Sequence, residues 1–390
     1  MSVFCGRRTH GDSSASRPGR IAPLLLAALV LACADPSGPS THEHQQRLLI
    51  AGTEEGTVVV DLDWRGIIKR TGPRFLSQGP TALKGPREIV TAGRVLGDST
   101  VVAGLDIETG VELWRMTAAR GTAPAVVDGV ELGAIMIAAN PSRSEIFLWR
   151  SRQDGVAGIA GYDYSTRRVT RFIGPVGSRF RAMAATPATL EHPNGCVIMA
   201  LDTGSQSQLR AFLHVVCGTS YAERDSIPVA LPSRQVEQME LSADGKFLLV
   251  MTDLELLKLD PATLRVTMNA SRPMSAPFFL SRATGSLIIP DIGSLVVAST
   301  GIIYVLDATL ELSSIIDLRV LPFGDRPLGI RGAEESRDGR WLYIIGGVAR
   351  DGPLYGPEKT HILVIEKATG LVADNVALET YGGSRPILIP

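Results

Sequence analysis

The stretch that decides the fold is residues 241–266, which read LSADGKFLLVMTDLELLKLDPATLRV. An Asp-Gly pair, Asp244 and Gly245, precedes one apolar run, and a second apolar run leads into a turn that contains Asp260 and Thr263. Asp-Gly beside apolar runs favours a tight hairpin, because such a turn needs residues with positive φ. The stretch therefore predicts short β-strands joined by tight turns.

The acidic turn recurs along the chain and sets the number of structural units. Its acidic residues are Asp61, Asp106, Asp163, Asp260, Asp307 and Glu366. They are separated by 45, 57, 97, 47 and 59 residues, and the long interval indicates a degenerate copy near residues 215–219. Self-similarity at a period of roughly 50 residues is typical of repeat folds. The spacing predicts seven units.

Each unit is predicted to contain four strands. Asn194 and Asp338, each followed by glycine, precede apolar runs in the same phase as Asp244. A unit then reads strand, hairpin turn, strand, variable loop, strand, acidic turn and strand, and seven such units describe an all-β propeller. The first unit lacks its first strand, and the apolar C-terminal residues 385–390 are predicted to supply it. Such pairing removes an open sheet edge.

The blade sequence also resembles a known family. Residues 241–266, through Ser242, Asp244 and Phe247, resemble the YVTN or YncE-like blade of bacterial secreted seven-bladed propellers, and residues 109–114 resemble the blade of pyrroloquinoline-quinone enzymes. The resemblance implies a seven-bladed β-propeller of four-stranded antiparallel blades over residues 47–390. It also implies that the repeated turns lie on one face and the variable loops on the other.

The N-terminal residues are predicted to direct export. Four arginines precede the apolar run 21–32, which has the length of a signal-peptide core. The run ends in VLAC, which resembles a bacterial lipobox and implies a lipid anchor on Cys33. The alternative is an ordinary secretory signal that is cleaved near Ala34.

Three segments follow from this interpretation. Residues 1–32 are a lipoprotein signal peptide, residues 33–46, rich in Pro, Ser and Gly, are a flexible tether, and residues 47–390 are the propeller. The predicted location is the bacterial cell envelope, with the chain exported, lipid-anchored and facing the periplasm or the outer membrane.

Export permits disulfides. Cys196 opens one apolar run and Cys217 closes the next, with the polar loop 202–208 between them. If the two runs are neighbouring antiparallel strands, the cysteines lie opposite each other, which predicts a disulfide. The alternative is a pair of free, buried cysteines that pack as small apolar residues.

The charge distribution argues against nucleic-acid binding. The chain has 39 basic and 40 acidic residues, so it lacks the net positive charge of a nucleic-acid-binding surface. One local basic cluster consists of Arg167, Arg168, Arg171, Arg179 and Arg181. It is predicted to lie on the outer strand of the third blade and the following connection, where charged side chains protect an exposed edge.

The candidate binding residues are those of the variable loops, because long loops on a rigid scaffold often carry binding groups. They are Arg152 and Asp154 in one loop, Phe278 and Phe279 in a second, and Arg350, Asp351, Tyr355, Glu358 and Lys359 in the longest. The alternative is that these loops are ordinary solvated insertions. The repeated acidic residues are interpreted as turn formers, which accept backbone hydrogen bonds.

No catalytic residue, metal site or cofactor is predicted. The sequence contains no nucleophile elbow, phosphate-binding loop or His-Glu metal motif. Trp64, Trp114, Trp149 and Trp341 do not repeat in phase, as the docking motifs of quinone enzymes do.

The sequence therefore predicts a membrane-tethered, monomeric binding module for a protein, peptide or glycan. The alternative is a propeller enzyme, either a lactonase-like hydrolase or a quinone-dependent dehydrogenase, with a site in the central channel and quinone or calcium as cofactor. Acidic and amide side chains from at least three blades that meet at one metal site would indicate the enzyme.

Overall fold

The computed structural model describes residues 46–72, 74, 77–95, 99–132, 136–151, 156–174, 176, 180–203, 210–218, 229–231, 235–271, 278–290, 302–318, 328–348 and 359–389. The chain divides into two units, Met1–His44 and Gln45–Pro390, and all of these residues belong to the second. Over these ranges the regular structure is β-strand, without an α-helix. Nor do they hold a helix with the length and apolar character of a membrane span.

The strands form seven antiparallel four-stranded blades, which confirms the predicted fold. Blades 1 and 2 contain β1 (Arg47–Thr53), β2 (Gly56–Asp61), β3 (Gly66–Thr71), and then β4 (Ser77–Lys84), β5 (Glu88–Val95), β6 (Ser99–Asp106) and β7 (Glu112–Arg120). A hairpin of β8 (Ala123–Val127) and β9 (Val130–Leu132) extends blade 2.

The next three blades have four strands each. Blade 3 contains β10 (Ile137–Ala139), β11 (Glu145–Ser151), β12 (Ala157–Asp163) and β13 (Arg168–Ile173). Blade 4 contains β14 (Phe180–Ala185), β15 (Val197–Thr203), β16 (Arg210–Val216) and β17 (Val229–Ala230). Blade 5 contains β18 (Val236–Leu241), β19 (Leu248–Thr252), β20 (Glu255–Leu259) and β21 (Val266–Ser271).

The last two blades lead back to the first. Blade 6 contains β22 (Phe279–Leu280), β23 (Leu287–Pro290), β24 (Ile302–Leu306) and β25 (Leu312–Asp317). Blade 7 contains β26 (Leu328–Glu335), β27 (Trp341–Val348), β28 (Lys359–Glu366) and the first part of β29 (Leu371–Leu388).

The C-terminal strand closes the ring, as the sequence predicts. The first part of β29 pairs with β28, and its last part pairs with β1, where Ile387 lies opposite Leu49. Blades 7 and 1 therefore share one seven-stranded hydrogen-bonded sheet. The two strand edges that an open array of blades would leave unpaired at this junction are therefore hydrogen-bonded to a neighbouring strand.

Apolar contacts between neighbouring blades hold the ring together. Among the described residues, seven buried clusters occur, one at each junction between consecutive blades. Along β1, Leu48 and Ile50 pack toward blade 7, whereas Leu49 and Ala51 pack toward blade 2, because alternate residues of a strand point to opposite faces. Burial on both faces explains why the strands read as continuous apolar runs.

The predicted hairpin turns have the required backbone conformation. Gly195, Gly245 and Gly339 have φ values of 67°, 72° and 67°. At Gly195 a Cβ atom would also lie 2.6 Å from the carbonyl oxygen of Thr186, so this position needs glycine for two reasons.

Blade 4 is the unit without a recognisable acidic turn. Its third strand, β16, ends at Val216, where the degenerate copy was expected. The sequence placed Asp202 in a polar loop, but the structure includes it in β15, where it pairs with Ala211 of β16. Its carboxylate is buried and accepts a hydrogen bond from Arg181 Nε, which compensates for the charge inside the sheet.

Candidate functional site

Most of the predicted loop residues lie outside the described part of the chain. These are Arg152, Asp154, Arg350, Asp351, Tyr355 and Glu358, together with the proposed lipid attachment site Cys33. Lys359 begins β28, and its backbone pairs with Tyr381. The binding role of these residues stays a prediction.

Phe278 and Phe279 are placed in the core. Phe278 is completely buried at the junction of blades 5 and 6, and half-buried Phe279 begins β22 and packs at the junction of blades 6 and 7. Gln238 holds the backbone of Phe278 by donating from Nε2 to its carbonyl (2.9 Å) and accepting from its amide (3.1 Å). These two aromatic side chains stabilise the ring, and Phe278 is shielded from any ligand.

The repeated acidic residues act as turn formers. Asp106 Oδ1 accepts from the Thr109 amide and hydroxyl, both at 2.7 Å, and Asp307 Oδ1 accepts from the same two groups of Thr309 at 2.8 and 2.6 Å. The hydroxyl hydrogen bonds are the main reason that the pKa of each of these carboxyl groups lies below its ordinary value. A carboxylate held ionised in this way is a poor general acid at neutral pH.

The first strand of each blade lies next to the first strand of a neighbouring blade, so these strands surround the axis of the ring. Those of blades 2 to 5 line a cavity of about 350 Å³. This volume is at the lower end of the range for small-molecule sites. The lining is apolar at Leu83, Met136 and Met183 and charged at Arg181, Glu237 and Glu240.

Two of the charged residues, Arg181 and Glu237, project from β-bulges that repeat around the axis. The pairing of β14 with β15 shifts by one residue at Arg181, that of β18 with β19 shifts at Glu237, and that of β26 with β27 shifts at Arg331. Each residue lies four positions before the last residue of its strand, so the bulges are in phase. A bulge redirects the side chain of its extra residue.

The buried carboxylate of Asp202 holds the Arg181 side chain. Its Nε donates to Asp202 Oδ2, and the Asp202 side chain is fully buried whereas that of Arg181 is 42% exposed. The ion pair thus fixes Nε of Arg181 and leaves part of the guanidinium open to the cavity. Glu237 is exposed on the neighbouring blade. The cavity therefore offers one positive charge, from Arg181, and two negative charges, from Glu237 and Glu240, within an otherwise mostly apolar lining.

Sequence reasoning missed these bulges. The available signal was a charged residue inside a short strand, four positions before the end of that strand, in three units: FRAMAA, VEQMEL and LGIRGAEE. Strict alternation of residues places such a residue on one of the two regular faces of the strand, so the sequence pattern alone does not reveal the bulge.

A second missed feature is a glycine that makes room for a glutamate in blades 2 and 3, partly buried in blade 2 and buried in blade 3. The sequences AGLD at 103–106 and AGYD at 160–163 place Gly104 and Gly161 in the third strand. Beside them, Trp114 Nε1 donates to Glu88 (2.6 Å) and the Arg171 guanidinium binds Glu145 (2.8 Å). The shared tetrapeptide was the signal for this feature.

The basic cluster is only partly an edge feature. Arg168 is exposed and pairs with Asp128 of the β8–β9 hairpin at 3.1 Å, in agreement with the predicted outer strand. Arg171 is buried, because its guanidinium binds Glu145 and the carbonyls of Asn194 and Cys217. Arg181 lies on an inner strand, and Arg179 is outside the described residues.

Cys196 and Cys217, the pair predicted from the sequence, form a disulfide with a Cα–Cα distance of 4.0 Å. They directly flank the paired residues Val197 and Val216 on β15 and β16. Of the described residues, only this pair together with His192 forms a group of three or more His, Cys, Asp or Glu side chains close enough to hold a metal ion.

No protein-family model matches the chain, and no curated protein sequence matches it. Similar solved structures include dihydro-heme d1 dehydrogenase NirN, at 12% identity and a TM-score of 0.49 over 88% of this chain and 75% of that chain. Apo AztD from Citrobacter koseri has 12% identity and a TM-score of 0.49 over 88% and 98%. A functionally unknown protein from Desulfotomaculum acetoxidans has 10% identity and a TM-score of 0.49 over 88% and 99%. Identities this low carry no functional inference.

Proposed function

We propose that this chain is an exported, lipid-anchored, monomeric binding module of the YVTN or YncE-like type, which binds a peptide segment at the axial cavity. The observation that carries the proposal is the pair of bulges that direct Arg181 and Glu237 into the cavity. Both residues lie near the start of their strands, on the side of the connections between blades. A ligand held by those connections would meet both charges.

The lining favours a peptide over a glycan. Methionine side chains adapt to irregular apolar partners, and Met136, Met183 and Met239 all contribute to the lining. The described lining residues include no aromatic side chain on which a sugar ring could stack. Charges of both signs suit a peptide that carries an acidic and a basic group.

The donor set of the cavity supports binding over catalysis. Acidic and amide side chains that meet from at least three blades would indicate a metal-dependent enzyme. In the described lining, the carboxylates and the amide are Glu237, Gln238 and Glu240, all from the single strand β18. Gln238 is also engaged with the backbone of Phe278.

The test is a binding screen with peptide and glycan arrays, followed by titration of the strongest binders. We expect a peptide to bind, and we expect Glu237→Gln to weaken it by about tenfold, as loss of one charge-assisted hydrogen bond does. The control is Glu108→Gln, an exposed residue of the acidic turn in blade 2.

Three results would contradict the proposal. They are binding of glycans alone, equal affinity of the Glu237→Gln and Glu108→Gln proteins, and a stoichiometric metal or quinone in the purified protein with its disulfide intact, by metal analysis and absorbance.

The anchor has its own test. We expect radiolabelled palmitate to enter the chain in bacterial cells, and we expect Cys33→Ser to abolish the label while export continues. Cleavage near Ala34 without labelling would support the ordinary secretory signal instead. Failure of this test leaves the cavity proposal intact, because the cavity residues lie entirely within the propeller.

A further inference from the structure

We propose that reduction of the Cys196–Cys217 disulfide creates a binding site for one divalent transition-metal ion of the zinc type, with His192 as the third ligand. The two Sγ atoms and an imidazole nitrogen of His192 lie within 4.8 Å of one another. Thiolate and imidazole are the ligands that zinc prefers. In the oxidised chain the bond between the sulfurs keeps the site closed.

The backbone around both cysteines is held by hydrogen bonds that do not involve sulfur. The Cys196 amide donates to Thr186 Oγ1, and the Cys196 carbonyl accepts from the Thr186 amide, both at 2.9 Å. The Cys217 carbonyl accepts from Arg171 Nη1 at 3.2 Å. Opening the disulfide therefore leaves the two cysteines at neighbouring ends of two paired strands.

His192 is held in place by its own turn. Its amide donates to Thr189 Oγ1 at 3.0 Å, and its carbonyl accepts from the amides of Thr189 (3.0 Å) and Gly195 (2.9 Å). Gly195 has positive φ and leads directly into Cys196. The imidazole is thus carried by a backbone with three fixed hydrogen bonds, so binding a metal needs little further ordering.

Arg171 ties this region to blade 3. Besides the Cys217 carbonyl, its guanidinium binds the carbonyl of Asn194 (3.1 Å) and the buried carboxylate of Glu145 (2.8 Å). Asn194 lies two residues from His192 and two from Cys196. One buried ion pair therefore holds the backbone of Cys217 and that of Asn194, which lies between the other two proposed ligands.

Reduction of the Cys196–Cys217 disulfide is balanced when a thiol is the reductant. Two thiol molecules supply two electrons and two protons, the S–S bond breaks, and a second disulfide forms between the reductant molecules. The metal ion then displaces both cysteine protons, so two thiolates and one dication give a site without net charge. At Zn–S distances of about 2.3 Å, the sulfurs separate to roughly 3.8 Å in a tetrahedral arrangement. The fourth position stays open to water or another donor.

Binding of Co²⁺ can be used to detect such a site. We would reduce the full chain with excess thiol, remove the thiol without oxygen, and titrate Co²⁺ in detergent. The protein would carry Cys5→Ser, Cys33→Ser, His42→Gln and His44→Gln, which remove the other cysteines and the histidines of the tether. We expect one equivalent to bind with thiolate-to-cobalt absorption in the reduced protein, and no such absorption in the oxidised protein.

The histidine is tested by a matched pair of variants. We expect His192→Ala to weaken cobalt binding by more than the roughly 10- to 100-fold that loss of an outer partner costs. His361→Ala, in β28 of blade 7, should leave it unchanged. Thermal unfolding of both oxidised variants checks that they fold.

The proposal is overturned if the reduced protein shows no thiolate-to-cobalt absorption. It is also overturned if the oxidised protein binds cobalt equally well, or if the two histidine variants bind alike. None of these results bears on peptide binding, because the site lies outside the lining of the axial cavity.

Discussion

Gly104 and Gly161 occupy positions where even one methyl group meets other atoms. A Cβ at Gly104 would lie 2.1 Å from Trp114 Nε1 and 2.5 Å from Glu88 Oε1. A Cβ at Gly161 would lie 2.7 Å from Glu145 Oε1 and 2.9 Å from Arg171 Cγ. Each glycine therefore leaves room for a glutamate and its partner to lie against the third strand of a blade, with Glu88 partly buried and Glu145 buried.

We expect Gly104→Ala and Gly161→Ala each to lower the free energy of unfolding by about 1–3 kcal/mol, the usual cost of overpacking. Urea unfolding followed by tryptophan fluorescence measures the change. Gly66→Ala is the control, because a Cβ there has Trp64 O as its near neighbour at an ordinary 3.7 Å. Equal stability of the Gly104, Gly161 and Gly66 variants would show that the partners move aside without cost.

The acidic turns make stability depend on pH. Hydrogen bonds from Thr109, Thr263 and Thr309 hold the pKa values of Asp106, Asp260 and Asp307 below their ordinary value of 3.8. Because these pKa values are lower in the folded state, the contribution to stability is complete above about pH 4 and is lost as the pH falls below it.

We expect the urea midpoint to fall between pH 5 and pH 3, and we expect the triple variant Asp106→Asn, Asp260→Asn and Asp307→Asn to show a smaller fall. Asparagine keeps an acceptor oxygen but cannot titrate, so only the pH dependence is removed. Glu108→Gln is the control, and it should retain the full dependence. Parallel pH profiles for the original and triple-variant proteins would argue against this origin.

At the scale of elements, β13 contributes one arginine to a buried ion pair and another arginine to an exposed ion pair. The side chains of Arg171 and Glu145 are 4% and 5% exposed, whereas those of Arg168 and Asp128 are 71% and 31% exposed. A buried carboxylate without its partner is expensive, but an exposed pair contributes little because water and salt screen it.

We therefore expect Arg171→Met to lower the free energy of unfolding by about 3–5 kcal/mol and Arg168→Met by less than about 1 kcal/mol. Chemical denaturation measures both. The double variant Arg171→Met with Glu145→Gln should recover part of the loss, because no buried charge then remains unpaired. If the double variant is no more stable than Arg171→Met alone, the loss comes from packing or from the backbone carbonyls instead.

Local signals explain how far the sequence could predict these elements. A turn such as Asp244-Gly245 or Asp106-Thr109 is made by neighbours in the chain, so its residues identify it. The burial of Arg171 depends on Glu145 and on carbonyls of the next blade, which no local pattern contains. The direction of the Arg181 side chain likewise depends on a bulge and on Asp202, which lies 21 residues away in the chain. The blades were therefore predictable, but the charged residues of the cavity were not.

At the scale of the whole molecule, the ring is closed by the last part of β29. Leu48, Leu49 and Ile50 of β1 pair there with Leu388, Ile387 and Pro386. Ile387 is completely buried at the junction of blades 1 and 2. Without these residues, β1 would present an unpaired edge and one junction would lose an apolar contact.

We expect a chain that ends at Gly383 to lose at least about 2–5 kcal/mol of stability, the cost of removing one buried aliphatic side chain, and to associate as its concentration rises. Thermal unfolding and size-exclusion chromatography with light scattering measure the two effects. A peptide of residues 384–390, SRPILIP, added to the shortened chain should raise its unfolding temperature, because it can pair with β1 in the original register.

A peptide of the same composition in scrambled order is the control, since it keeps the charge and the apolar content but loses the pattern of alternate residues that face blade 2. If the shortened chain stays monomeric and unfolds at an unchanged temperature, the C-terminal strand does not close the ring. If both peptides stabilise it equally, the open edge accepts any apolar strand. Selective rescue by SRPILIP would show that closure depends on the side chain of Ile387 as well as on backbone hydrogen bonds.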